Sequence, residues 1–191
     1  MTPSSTTDKP SDRRENGAAP GDIAPEGRPV AAPPGMVIDR VSHEDIPEIC
    51  ALYKRVWDSP PVGVPAEFLK SAVPTALEFT SRMEGVTYFV AREGKPLRGI
   101  VGCAFSEGNC RLVGLAVDVD SRRKGVARSL VLTAVDWARK NHANSVWVDA
   151  LDRFIEAKGL FHQLGFASGG LLHRHQWNED VRFFETVLSA R

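Results

Sequence analysis

The chain has 191 residues, which suits one domain with room for a sizeable core. Its 24 basic and 24 acidic side chains cancel, which disfavours a surface that binds nucleic acid or an acidic membrane as a whole. Cys50, Cys103 and Cys110 form no CxxC pair, no apolar run is long enough to span a membrane, and the N-terminus lacks a signal-peptide core; these features point to a cytoplasmic protein with reduced thiols.

Residues 1–35 are rich in Pro, Ser, Thr, Gly and Ala and carry almost no large apolar side chains. Such a segment cannot offset its ordering entropy, so a disordered tail is expected, with the folded domain over residues 36–191. Met36 to Val41 reads as a strand, and Ser42 with Asp45 as a helix cap. Ile46, Ile49, Cys50, Tyr53, Val56 and Trp57 follow at helical spacing. Asp58 to Pro65 holds three prolines and a glycine and reads as a loop. One helical region is expected from Ala66 to Met83, bent at Pro74.

Strands over Val86–Arg92, Arg98–Ser106 and Cys110–Val117 are joined by short turns, which implies an antiparallel meander. A helix from Gly125 to about Asn141 leads to a strand over Ser145–Ala150, so that strand should run parallel to the one before the helix. A helix over Phe154–Leu164 and strands over Phe166–Leu172 and Val181–Leu188 close the chain. The order is β-α-α-β-β-β-α-β-α-β-β.

From Val117 to Ala127 the chain reads Val-Asp-Val-Asp-Ser-Arg-Arg-Lys-Gly-Val-Ala, an apolar strand end, a charged turn and a helix start. Arg122, Arg123, Lys124 and Arg128 ring that helix start. Cations there oppose the helix dipole, whereas a bound anion satisfies both the charges and the free N–H groups. Gly125 and Ala127 let a phosphate approach the backbone closely.

Arg122-x-x-Gly125-x-Ala127 at this crossover matches a Gln/Arg-x-x-Gly-x-Gly/Ala signature, and Ala157-Lys-Gly-Leu-Phe161-His-Gln-Leu-Gly165-Phe166 matches an Ala-x-x-Leu-Tyr-x-x-x-Gly-Phe pattern. On these motifs and the element order, from Met36 to Leu188, the chain resembles the GNAT family of N-acetyltransferases. The resemblance implies an α/β fold of the α+β type: a mixed, mostly antiparallel sheet flanked by helices, with splayed parallel fourth and fifth strands. It implies transfer of an acetyl group from acetyl-CoA to a primary amine by direct attack in a ternary complex. Arg122, Arg123, Lys124, Gly125, Val126, Ala127 and Arg128 would hold the coenzyme A pyrophosphate, and the backbone of Leu115, Ala116 and Val117 the thioester region. Phe161 would touch the cofactor, and no metal is implied. Gly114 marks either a β-bulge that frees an N–H group or close packing against a helix.

The family's usual acid and base do not carry over. Phe161 stands where a Tyr often protonates the thiolate, Phe154 where an Asn often precedes the pattern, and Arg111 where histone-type members place a Glu. Asp149, Asp152 and His162 remain as catalytic candidates, with Glu107 and Tyr88 behind them. A helix-capping Asp and a solvated His are the plainer readings of the first three. His173 and His175 alternate near a strand end, which places both rings on one face, as acceptor-site lining or plain surface. By resemblance, Trp57, Trp177 and the Pro60-Pro61 loop wall the acceptor pocket. The acceptor is a small amine, an amino acid, or a protein N-terminus or lysine. A homodimer through the last strands stays open. The competing reading is a catalytically degenerate acyl-CoA-binding sensor or regulatory module.

Overall fold

The computed structural model describes residues 32–188; most of the expected disordered tail lies outside the described residues. The elements run β1 (Met36–Arg40), α1 (Ile46–Trp57), α2 (Ala66–Ala72), α3 (Ala76–Met83), β2 (Val86–Glu93), β3 (Leu97–Ser106), β4 (Asn109–Val117), α4 (Val126–Lys140), β5 (Ser145–Leu151), α5 (Ile155–Gln163), β6 (Ala167–Gln176) and β7 (Glu179–Val187). They build one seven-stranded sheet in the order β1-β2-β3-β4-β5-β7-β6. Only β4 and β5 pair in parallel, as the intervening helix requires; every other pair is antiparallel.

Side-chain alternation in β2 and β3 feeds two cores, one on each face of the sheet. Phe89, Ala91, Val101 and Cys103 face Val126, Leu130, Ala134 and Ala138 of α4. Tyr88, Val90 and Ile100 face Ile49, Leu52 and Tyr53 of α1 and Phe79 of α3. Both faces are covered, so β2 and β3 read as continuous apolar runs.

The single helix expected over Ala66–Met83 is two helices. Pro74 lacks an N–H, and a residue before proline is pushed out of the helical region; Val73 sits at φ −115°, ψ 84°. Thr75 then starts α3 with reciprocal caps: its hydroxyl accepts from the Glu78 N–H at 3.3 Å, and the Glu78 carboxylate accepts from the Thr75 N–H at 2.7 Å. Thr75→Ala should lower stability by about 1 kcal/mol in urea denaturation.

The last hairpin is also longer than its sequence suggests. Trp177 and Asn178 both have positive φ, at 50° and 60°, so they form a tight two-residue turn that carries β6 to Gln176. The ladder slips between Leu172 and Gln176, with Arg174 at φ 49°. This slip separates the two imidazoles expected on one face. His173 pairs with Asp180 at 3.2 Å, and the His175 ring lies 6.4 Å from that of Phe183; those partners lie on opposite faces of β7.

Candidate active site

Strands β4 and β5 pair only at Cys110–Val146 and Arg111–Trp147. Beyond that point β5 stays on β7 as far as Leu151, and Leu112 to Val117 keep no β5 partner. The two strands therefore splay, and a wedge opens beside the backbone of Leu115, Ala116 and Val117. The same segment is bulged against β3: pairing jumps from Ala116–Ile100 to Val113–Gly102, and Gly114 has φ 60°. Tyr53 from α1 donates its hydroxyl to the Gly114 carbonyl at 2.6 Å. A Cβ at position 114 would lie 2.6 Å from that hydroxyl oxygen. Both sequence readings of Gly114, bulge and close helix packing, are thus present together. Burial pushes the Tyr53 phenol far above its ordinary value, so it stays a donor that holds the bulge.

At the end of β4, buried Asp118 fixes the turn into α4. Its carboxylate accepts from the Asp120 N–H at 3.2 Å and from Arg55 Nε at 3.0 Å. Arg123 and Gly125, at φ 63° and 84°, then wind the chain into the helix. Ser129 donates the first regular helical bond, to the Gly125 carbonyl at 3.0 Å, so the N–H groups of Val126, Ala127 and Arg128 point out past the helix end. Arg122, Lys124 and Arg128 are exposed and make no ion pair among the described residues. Arg123 reaches Glu156 of α5 at 3.6 Å. Outward N–H groups ringed by unpaired cations form the donor set a pyrophosphate needs.

On the other face of the wedge, Arg111 sits over Trp147, with its Cζ 4.9 Å from the ring centroid. Its Nη2 and Nε lie 2.7 and 2.9 Å from Asp149 Oδ1. Gln176 approaches Asp149 Oδ2 at 3.4 Å. Next to Gln176, Trp177 meets Phe68 edge-on at 5.3 Å, and Phe68 in turn meets Trp57 at 5.0 Å and Phe154 at 5.5 Å. These rings come from α1, α2, the β5–α5 loop and the β6–β7 turn. Arg153 ties the same parts together by donating to the Gly63 carbonyl and pairing with Glu179. The loop after α1 and the last hairpin are thereby joined across this face.

The other nominated residues are more dispersed. Asp152 is held by Arg182 at 2.6 Å and Lys158 at 3.2 Å. The Arg182 guanidinium, with Lys158 beside it, keeps its carboxyl below the ordinary 3.8. A carboxyl lowered in the folded state stabilises above its unfolded value and loses that contribution as pH falls through the folded value. Thermal melts should therefore drop as pH falls below about 4, and Arg182→Gln should flatten that slope.

The resemblance implies a cofactor contact for Phe161, whereas its ring is 2% exposed and packs on Phe166 and Phe184 at 5.4 and 5.6 Å. It lacks the hydroxyl that would favour a polar setting, and it belongs to the core. His162 is exposed, its ring edge-on to Phe184 at 5.2 Å. Tyr88 is buried against Phe79, and Glu107 is an exposed hairpin residue at φ 51°. Sequence spacing did not mark Phe68, Phe154 or Arg153 as parts of one cluster, because their elements are distant along the chain. Among the described residues, no group of three or more His, Cys, Asp or Glu is placed to hold a metal ion, and no helix is long and apolar enough to cross a membrane.

Residues 49–166 match the model of the acetyltransferase (GNAT) family, and the chain belongs to that family. Human N-acetyltransferase 8B is 30% identical over 99 residues, a stretch that spans 49% of this chain and 44% of the human protein. The chain thus covers under half the length of that curated relative. Among solved structures, the ribosomal-protein-S18-alanine N-acetyltransferase of Escherichia coli aligns with a TM-score of 0.67 at 18% identity, covering 82% of this chain and 96% of the other. The paia N-acetyltransferase of Thermoplasma acidophilum, solved in complex with coenzyme A, aligns with a TM-score of 0.67 at 13% identity, covering 80% and 99%. These structural likenesses establish the fold: a mixed, mostly antiparallel sheet with a parallel β4–β5 pair and flanking helices.

Proposed function

We propose that the protein transfers an acetyl group from acetyl-CoA to a primary amine, by direct attack while both substrates are bound. The observation that carries this reading is the coincidence of two features on one crossover. The α4 N-terminus offers N–H groups and free cations, and the β4–β5 wedge beside it leaves strand backbone unpaired. The first suits the pyrophosphate of coenzyme A and the second suits an extended pantetheine arm. Acetyl-CoA supplies the activated thioester. Arg122, Lys124 and Arg128 bind the phosphates, and the backbone from Leu115 to Val117 aligns the arm. The bulge held by Tyr53 keeps N–H donors free for the thioester oxygen, which gathers charge during attack.

In the transfer, the amine nitrogen bonds to the acetyl carbon and the carbon–sulfur bond breaks with its electron pair on sulfur. An acceptor held as an ammonium gives one proton to water before attack, and the second proton lost from nitrogen passes to the departing thiolate. Of the three nominated side chains, Asp149 sits where β4 and β5 part, and we assign it to orienting the acceptor ammonium. Asp152 is engaged by two cations and His162 lies out on α5, so neither is given the base role.

The absence of a hydroxyl at Phe161 favours a second reading, a module that binds acyl-CoA without turnover. Thiol release from acetyl-CoA, assayed against free amino acids, small amines, polyamines and peptide N-termini, separates the two. Amine-dependent release supports the enzyme. Tight coenzyme A binding with no release on any acceptor supports the binding module.

A further inference from the structure

Arg111 and Asp149 form a neutral pair with capacity left at both ends. Arg111 directs Nε and Nη2 to one oxygen of Asp149, and its side chain is 40% exposed, which leaves the Nη1 edge toward solvent. Asp149, whose side chain is 9% exposed, gives Oδ1 to Arg111, and its Oδ2 accepts from Gln176 in a long contact of 3.4 Å. A group that satisfies both ends carries an anion and a cation close together. The aromatic cluster is linked to this pair through Gln176 and its neighbour Trp177, and the half-buried rings of Trp57, Phe68 and Phe154 extend it. Such rings accept an apolar or flat side group.

Resting on the acetyltransferase reading above, we infer that the acceptor is a free amino acid with an aromatic or large apolar side chain. Its carboxylate pairs with the open edge of Arg111, its ammonium with Asp149, and its side chain with the Trp57–Phe68–Trp177 rings. A zwitterion complements an ion pair without leaving either partner uncompensated. A polycation would meet Arg111 as a like charge. A peptide N-terminus brings an amide where Arg111 offers charge, and the links from Phe68 to Trp177 and from Arg153 to Gly63 and Glu179 narrow the face against a folded protein.

The test compares phenylalanine, phenylalaninamide, phenethylamine, alanine and a dipeptide with N-terminal phenylalanine as acceptors in the thiol-release assay. In parallel, the quenching of tryptophan fluorescence by phenylalanine and by phenylalaninamide is titrated on the coenzyme A-loaded protein. The inference predicts phenylalanine ahead of its amide, of phenethylamine and of alanine by about tenfold or more in kcat/KM, the scale of one charge-assisted pair or one aromatic contact. Arg111→Gln should narrow the preference for phenylalanine over phenethylamine to within about threefold, and Phe68→Ala should narrow that over alanine. Turnover of the amide or the dipeptide as good as or better than that of phenylalanine overturns the inference and leaves the acetyltransferase reading intact. If no amine is turned over, that reading fails, and the titration still decides: tighter binding of phenylalanine than of its amide supports the site, and equal or absent binding overturns it.

Discussion

Reversing charge at Arg122 and Arg128 together is expected to weaken coenzyme A binding about 100-fold or more, as read by calorimetry at fixed ionic strength. Each of these exposed side chains lacks an ion-pair partner among the described residues, and each is proposed above to engage a phosphate of coenzyme A. A hydrogen bond to a charged group contributes about 1.5–3 kcal/mol, and two lost together give the stated factor before repulsion from the new carboxylates is added. The melting temperature should stay within about 2 °C, because neither side chain packs in the core and acidic residues suit a helix start. Wild-type affinity should fall as salt rises, and the double variant should lose most of that dependence. An unchanged affinity would mean that the α4 start does not hold the phosphates.

Gly114→Ala carries the second large effect, this time on stability. At φ 60°, a residue with a Cβ costs about 1–2 kcal/mol. The new methyl would also lie 2.6 Å from the Tyr53 hydroxyl, and Tyr53 is 4% exposed with no room to retreat. Strain and crowding together predict a loss of about 3 kcal/mol and a drop in melting temperature near 10 °C. Tyr53→Phe removes the hydroxyl and leaves the Gly114 carbonyl without its donor, at a cost of about 1–3 kcal/mol. In the double variant, the next atoms around the methyl are at 3.8 and 3.9 Å, an ordinary contact. Gly114→Ala should therefore cost about 1–2 kcal/mol on the Tyr53→Phe background, the backbone strain alone. Strict additivity of the two changes would contradict the described bulge.

The seven strands in chain order and the parallel crossover were readable because apolar spacing changes period sharply at each boundary. The placement of the basic run at a helix start was readable too, because Gly125 and the apolar spacing after it mark where α4 begins. Other features were hidden for identifiable reasons. A proline that breaks a helix and one that merely bends it look alike until the flanking backbone is known; Thr75 and Glu78 resolve that choice by capping a new helix. The Trp177–Asn178 turn uses a tryptophan where Asn-Gly pairs are the recognised signal, so the hairpin was read short. The aromatic cluster joins Trp57, Phe68, Phe154 and Trp177 across about 120 residues of chain, and no local pattern announces it. Arg111 appeared in the sequence only as a missing Glu, and its pairing with Asp149 depends on the register where β4 and β5 part.

The central claim is that the acetyl group passes from the thioester to an amine. Incubating the protein with acetyl-CoA labelled in the acetyl methyl, together with a panel of amines, and measuring thiol release and acceptor mass in the same samples tests it directly. The account predicts one labelled acetyl gained by the acceptor for each thiol released, with no release when the amine is left out. Thiol release that leaves every amine unlabelled, or stable acetyl-CoA binding with no release at all, would contradict it.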